Sequence, residues 1–344
     1  MTRNAIKNDL FSHDQRRQKL DDLGDPLQAL EAHVDFAALA AEVDRVAPRE
    51  ANPKGGRPPY PTETMVRILM LKRLHNLSDE QMEYQLLDRM SFQRFCGLSL
   101  SRTVPDRTTI WSFENRIGAE GAQAIFQAMK RQLERKGYIA RCGQLIDATV
   151  VQAPTQRNTR KENDQIKAGE VPEDWSKAKR AQKDVDATWT KKHGKSYFGY
   201  KLSINADNRH KVIQRIVIDT ASTHDSQHFE DLVDPSNTSR DIYADRAFPS
   251  RERDDWLRQH GYRHQIQRKG SAHKPLSDCQ KRRNRRIAKT RARVEHVFAS
   301  LEQMGGKFIR TIGMARATFA MTMMAACYNA KRLVSLHKSG IAPF

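Results

Sequence analysis

Three acidic residues stand where a carboxylate has little structural use. Asp147 interrupts the apolar, β-branched run LIDATVV, Asp245 ends the short run DIYAD, and Glu295 lies on the edge of an apolar helical stripe. A carboxylate buried in such a strand is costly unless a cation, a donor or solvent meets it. Hard divalent ions such as Mg²⁺ prefer oxygen ligands, and two of them roughly 4 Å apart activate a nucleophile and stabilise a leaving oxygen on phosphorus. These three residues are therefore candidates for metal-dependent phosphoryl transfer.

Each of the three acids also has a purely structural interpretation. Asp147 could accept hydrogen bonds at a turn, and Asp245 could cap the segment that follows it. Glu295 could pair with Arg291 one helical turn earlier, although an Arg that precedes its Glu is the weaker orientation. Other acids compete for the same role, among them Asp207, Asp219 and Asp225.

Apolar periodicity indicates the elements that must position these acids. From about residue 143 the spacing changes from helical to strand-like. We expect a buried strand at 144–153, a hairpin at 197–206 and 211–220, a strand at 240–247, a helix at 250–260, a strand at 262–267 and closing helices. This order predicts an α/β fold with a mixed sheet flanked by helices.

The chain before this segment has a different character. Residues 62–140 show helical spacing throughout, with a capping box at Ser78 and Gln81, and predict an all-α DNA-binding or dimerisation module of four or five helices. Residues 1–61 suggest a weakly ordered arm, helical spacing over 26–46 and a Pro-rich linker. The catalytic domain would span 141–338, with a polar insertion or mobile loop at about 154–196.

The charge of the chain makes nucleic acid the first partner to consider. Its 344 residues include 60 Lys or Arg and 41 Asp or Glu, a formal net charge of +19. The basic excess concentrates in the run 268–293, which leads into the helix of Glu295. A solvated face is the simplest interpretation of such a run, but its position favours a surface that contacts DNA phosphates. The candidate contact residues are Arg291, Lys281, Arg282, Arg283, Arg285, Arg286, Lys289 and Arg293.

Composition argues against membrane and secreted classes. Mean hydropathy is −0.76, and no stretch of about 20 residues lacks charges. Residues 1–20 are polar and show no apolar core of a signal peptide. The four cysteines are far apart and match neither a zinc spacing nor a disulfide framework. We therefore expect a cytoplasmic, nucleoid-associated protein.

Several segments together resemble a known family. They are LSDEQMEYQLLDRMSFQRFCGL (77–98), VPDRTTIWSF (104–113), IDATVVQAP (146–154), YADRAF (243–248) and RARVEHVFASLE (291–302). In this order and spacing, over about residues 50–336, they are similar to DDE transposases encoded by bacterial insertion sequences. The acids carried by the last three segments are Asp147, Asp245 and Glu295.

The resemblance implies a structure and an activity. The fold would be a ribonuclease-H-like catalytic domain preceded by a helical module. Asp147, Asp245 and Glu295 would hold two Mg²⁺ ions, which Mn²⁺ could replace. The partner would be double-stranded DNA, at terminal inverted repeats and at a target, bound by a homodimer or a larger synaptic assembly. The reaction would be hydrolytic strand cleavage at the element ends, followed by attack of the freed 3′-OH on target DNA.

The glutamate helix departs from many relatives at two positions. Where they carry a Tyr and a Lys, this chain has Ala288 and Glu302, and Lys307 or Arg310 could replace the missing Lys. Two other functions therefore stay open: a catalytically silent DNA-binding protein on the same scaffold, and a stand-alone nuclease. The intact triad argues against the first. It does not address the second, because hydrolysis and strand transfer use the same metals and differ only in nucleophile.

Recognition of the terminal repeats is assigned to the helical module, through 107–116 or through Lys54 and Arg57, with a dimerisation or packing role as the alternative. Among the tryptophans, we expect Trp111 and Trp256 in the core. Trp175 and Trp189 lie in the polar insertion and are candidates to stack on extruded bases.

Overall fold

The computed structural model describes residues 9–49, 58–138, 142–192, 194–271 and 273–343. Lys54 and Arg57, one of the two predicted repeat-binding segments, lie outside the described residues. None of the helices in the described part of the chain combines the length and apolar character needed to cross a bilayer.

The N-terminal segment is more helical than its composition suggests. It forms α1 (Ser12–Leu23), α2 (Pro26–His33) and α3 (Phe36–Val46). Asp35 divides the helical pattern of 26–46 into two helices, because its side chain caps α3 by accepting from the Ala38 N–H at 2.9 Å. Part of the expected arm forms α1, which buries none of its residues and pairs Asp21 with Arg94 at 2.5 Å.

The next segment contains only helices within its described residues, as its spacing predicts. These are α4 (Thr62–Leu74), α5 (Asp79–Asp88), α6 (Met90–Phe95) and α7 (Arg107–Arg135). The capping box of Ser78 and Gln81 is present at the start of α5. Gly118, with a φ of +52°, interrupts α7 at a conformation that glycine tolerates.

The predicted mixed sheet, flanked by helices, is confirmed. Its strands are β1 (Gln144–Gln152), β2 (Thr188–Lys192), β3 (Lys195–Asp207), β4 (Ile213–Thr220), β5 (Asp241–Ala244) and β6 (Arg263–Ile266). The order is β2-β3-β1-β5-β6, with β4 also paired to β3. Strands β1 to β4 pair antiparallel, whereas β5 runs parallel to β1 and to β6.

Helices cover both faces of the sheet. They are α10 (Phe229–Leu232), α11 (Arg251–Gln259), α12 (Asp278–Arg291), α13 (Arg293–Gln303) and α14 (Met314–Lys338). Residues of α10 and α11 form one core with β5 and β6, while α13 and α14 join the core on the other face.

Helix α14 connects the two predicted domains. It packs against α4 and α7 as well as the sheet, so one hydrophobic core extends across residue 140. Asn329, fully buried on α14, bonds both the N–H and the carbonyl of Ile213 at 2.9 Å. The two segments therefore pack as one body.

The polar insertion is folded, which corrects the alternative of a mobile loop. It forms α8 (Arg160–Lys167), α9 (Lys177–Ala181) and the unpredicted strand β2. Its centre is Glu162, which accepts from Trp175 Nε1 at 2.7 Å and from Lys179 Nζ at 2.6 Å.

Two of the tryptophan expectations are wrong. Trp175 is only 7% exposed, so it is a packing residue of the insertion and cannot stack on a base. Trp111 is 52% exposed on α7 and does not belong to the core. Trp256, on α11, is partly buried and packs against the core of β5 and β6. Trp189 is exposed on β2 and contacts Phe198.

Candidate active site

Asp147 lies in the middle of β1, the central strand of the sheet. Its side chain is 13% exposed, so the carboxylate needs partners. One oxygen, Oδ1, accepts from the N–H of Ala148 at 2.9 Å. The other, Oδ2, accepts from Arg291 Nη1 at 2.5 Å.

Asp245 follows directly after β5, the parallel neighbour of β1. The register sets Leu145 opposite Tyr243, and two residues further along the same strands come Asp147 and Asp245. Because side chains two residues apart point to the same face, the two carboxylates emerge on one side of the sheet. Asp245 also accepts from the Ala247 N–H at 2.7 Å, which orients its carboxylate.

Glu295 comes from the first turn of α13. Ala292 lies between the end of α12 and the start of α13. Val294, Val297 and Phe298 bury one face of α13, and Glu295 stays exposed at its edge. The suggested structural pair of Glu295 with Arg291 is replaced by the pair of Arg291 with Asp147.

The three carboxylates line one cavity of about 670 Å³. Burial raises the pKa of Asp147 to about 6; Arg291 opposes this shift, and the negative charges of Asp245 and Glu295 add to it. The three acids are therefore close enough to influence one another electrostatically.

The rest of the cavity wall is strongly basic. Arg291 is joined there by side chains from four other segments, namely Lys192, Arg246, Arg268, Lys269 and Lys307. The sequence analysis singled out neither Lys192 nor Arg246, and it named Lys307 only as a replacement for the missing Lys of the glutamate helix. Arg268 and Lys269 lie in the basic run, but nothing in the local sequence singles out Lys192, which ends β2.

The basic residues proposed for phosphate contact do not share one environment. Arg283 donates to the carbonyls of Ile266 at 2.9 Å and His264 at 2.8 Å, and so completes the end of β6. Arg293 donates to the carbonyl and side chain of Asn208. Lys281 pairs with Asp278 at 3.1 Å, whereas Arg282, Arg285, Arg286 and Lys289 face solvent along α12.

The structure also separates the two candidates for the missing lysine of the glutamate helix. Lys307 lines the cavity, where it pairs with Glu302 at 3.1 Å. Arg310 lines a different cavity, beside Lys72 and Asn76.

The donor chemistry of the cavity fits hard divalent ions, since all three acids offer carboxylate oxygens. In the described residues, however, no three acidic, His or Cys side chains are gathered closely enough to hold a metal ion. Arg291 occupies one oxygen of Asp147 in this arrangement.

Comparison with known proteins identifies the family. A family model described as a transposase DDE domain matches residues 139–330, and one described as a transposase domain (DUF772) matches residues 14–116. A solved piggyBac transposase synaptic complex with hairpin DNA aligns with 95% of this chain and 78% of its own, at 12% identity and a TM-score of 0.46. The DDE-domain match covers more than half of the sequence and includes all three acids of the cavity, and the chain therefore belongs to the DDE-domain transposases.

Proposed function

We propose that this transposase cleaves DNA at the ends of an insertion sequence and joins the freed 3′-OH to target DNA. Asp147, Asp245 and Glu295 would hold two Mg²⁺ ions, replaceable by Mn²⁺. Such ions supply activation of an attacking oxygen and charge stabilisation on the leaving oxygen. The observation that carries the proposal is one cavity in which three carboxylates face a wall of Lys and Arg.

The DNA backbone would run from the cavity onto α12. Arg282, Arg285, Arg286 and Lys289 are exposed at intervals of three or four residues, which puts them on one face of that helix. They would add phosphate ligands to those of the basic cavity wall. Such contacts supply affinity and salt dependence without sequence choice.

Recognition of the terminal repeats would use the exposed face of α7. Thr108, Ser112 and Asn115 are exposed at helical spacing, next to the exposed Trp111. Ser, Thr and Asn side chains contact base edges in a major groove. Arg116 is not part of this face, because its guanidinium donates to the Ala47 carbonyl and packs on Phe113. Pairing of two element ends would need a homodimer or a larger assembly.

The test is strand cleavage by the purified chain. A plasmid that carries the DNA flanking the gene is incubated with Mg²⁺ or EDTA, and the 3′ ends are mapped. Metal-dependent nicks at a pair of inverted repeats, together with joined products, are the expected result. Nicks without joined products would instead indicate a stand-alone nuclease, and salt-sensitive binding without cleavage a silent DNA-binding protein.

The variant Asp147→Ala separates catalysis from binding. We expect it to abolish cleavage while DNA binding measured in EDTA is retained, because a carboxylate is a metal ligand and not a phosphate ligand. Asp255→Asn is the matched control, since Asp255 is exposed and outside the cavity. A variant that loses DNA binding but still cleaves would contradict the catalytic role of Asp147.

A further inference from the structure

Arg291 makes a contact that opposes metal binding at Asp147. Its Nη1 lies 2.5 Å from Asp147 Oδ2, and the two side chains are only 22% and 13% exposed. A guanidinium and a divalent cation seek the same oxygen lone pairs. The remaining oxygen of Asp147 already accepts from the Ala148 N–H. A metal ion that binds Asp147 beside Arg291 meets the positive charge of the guanidinium, so metal binding is favoured when Arg291 moves away.

The same arginine has an unused donor. Its Nε–H is buried and has no hydrogen-bond partner among the described residues. A buried donor without an acceptor costs free energy, and an arginine fork matches two phosphate oxygens. The cavity that Arg291 lines also carries Lys192, Arg246 and Arg268, which attract an anion to this place. A DNA phosphate would satisfy Arg291 better than Asp147 alone does.

We propose that Arg291 keeps Asp147 closed to metal ions until a DNA phosphate enters the cavity and binds the guanidinium. Metal binding at the three acids thereby depends on DNA. The arrangement of the described residues agrees with this, because the acids are not gathered for a metal ion while Arg291 holds Asp147. The inference rests on the proposed function, since it requires both a metal site and bound DNA.

The proposal has a thermodynamic consequence. If DNA tightens metal binding by some factor, the metal must tighten DNA binding by the same factor. A contact shared between two ligands couples them typically by 5- to 150-fold, so an effect of about tenfold is expected.

The experiment measures Mn²⁺ binding to the full chain by electron paramagnetic resonance, with and without a duplex from the DNA that flanks the gene. The Mn²⁺ that the duplex alone binds is subtracted. For the wild-type chain we expect the duplex to lower the Mn²⁺ dissociation constant about tenfold. Arg291→Gln should bind Mn²⁺ more tightly than the wild-type chain without DNA, and the duplex should then change its Mn²⁺ dissociation constant by a smaller factor than in the wild-type chain.

Arg293→Gln is the matched control. It removes the same charge two residues away, but Arg293 bonds Asn208 and no carboxylate. It should therefore retain the tenfold response to the duplex. A response to the duplex that is equally large in Arg291→Gln would overturn the proposal.

A measurement without any substitution gives an independent check. The affinity of the wild-type chain for a fluorescently labelled form of the duplex is measured with Ca²⁺ and with EDTA, and Ca²⁺ should tighten it. Equal Mn²⁺ affinity with and without DNA would overturn the proposed role of Arg291 but not the metal-dependent function. Absence of Mn²⁺ binding in every state would overturn the metal-dependent function and the role of Arg291 together.

Discussion

At the scale of single residues, Lys307 shows how a side chain outside the expected motif reaches the cavity. It pairs with Glu302 at 3.1 Å while both side chains are about half exposed, and such pairs contribute little, so the ammonium is available to a phosphate. We expect Lys307→Ala to make the slope of log K for DNA binding against log salt concentration less negative by about 0.9, because one phosphate contact is lost. Fluorescence anisotropy at several salt concentrations measures this slope. Arg310→Ala is the control. An equal change of slope in both variants would contradict a specific phosphate contact of Lys307.

At the scale of elements, the folded insertion depends on one carboxylate. The hydrogen bond from Lys179, followed by those from the Thr159 N–H and Trp175, lowers the pKa of Glu162 to about 2. A carboxyl whose pKa is lowered on folding stabilises the folded state at pH values above its pKa in the unfolded chain, which is near 4.5. This stabilisation is lost as the pH falls toward 2. The Trp175 indole N–H should therefore lose protection from hydrogen exchange between pH 5 and 2, as measured by NMR. Glu162→Gln should reduce that protection already at pH 7, whereas Glu173→Gln, at an exposed site of the insertion, should behave as wild type.

At the scale of the whole molecule, the continuous core predicts cooperative unfolding. Leu333 is fully buried on α14, which packs against both the helical segment and the sheet. Leu333→Ala should lower the free energy of unfolding by about 2–5 kcal/mol and shift a single calorimetric transition. Leu100→Ala, at a fully exposed side chain, should change it by less than about 0.5 kcal/mol. Two separate transitions, of which Leu333→Ala moves only one, would show that the segments unfold independently.

The sequence by itself determined the features that depend on local pattern. The three acids stand out because each interrupts or borders an apolar run, and the strands around Asp147 and Asp245 follow from their β-branched residues. The periodicity of apolar side chains and helix capping depend on residues close in sequence, so the order of helices and strands can be predicted from the sequence alone. Strand β2 was missed because it is short and lies in a polar segment.

Only the tertiary structure decided which charged groups meet. Lys192, Arg268 and Lys307 come from distant segments and share the cavity with Asp147, while Arg283 of the same basic run turns to the carbonyls of β6. The partner of Arg291 is Asp147 on β1, rather than Glu295 one turn away. A long, flexible cationic side chain reaches several acceptors with similar energy, and the packing of α12 against the sheet selects among them.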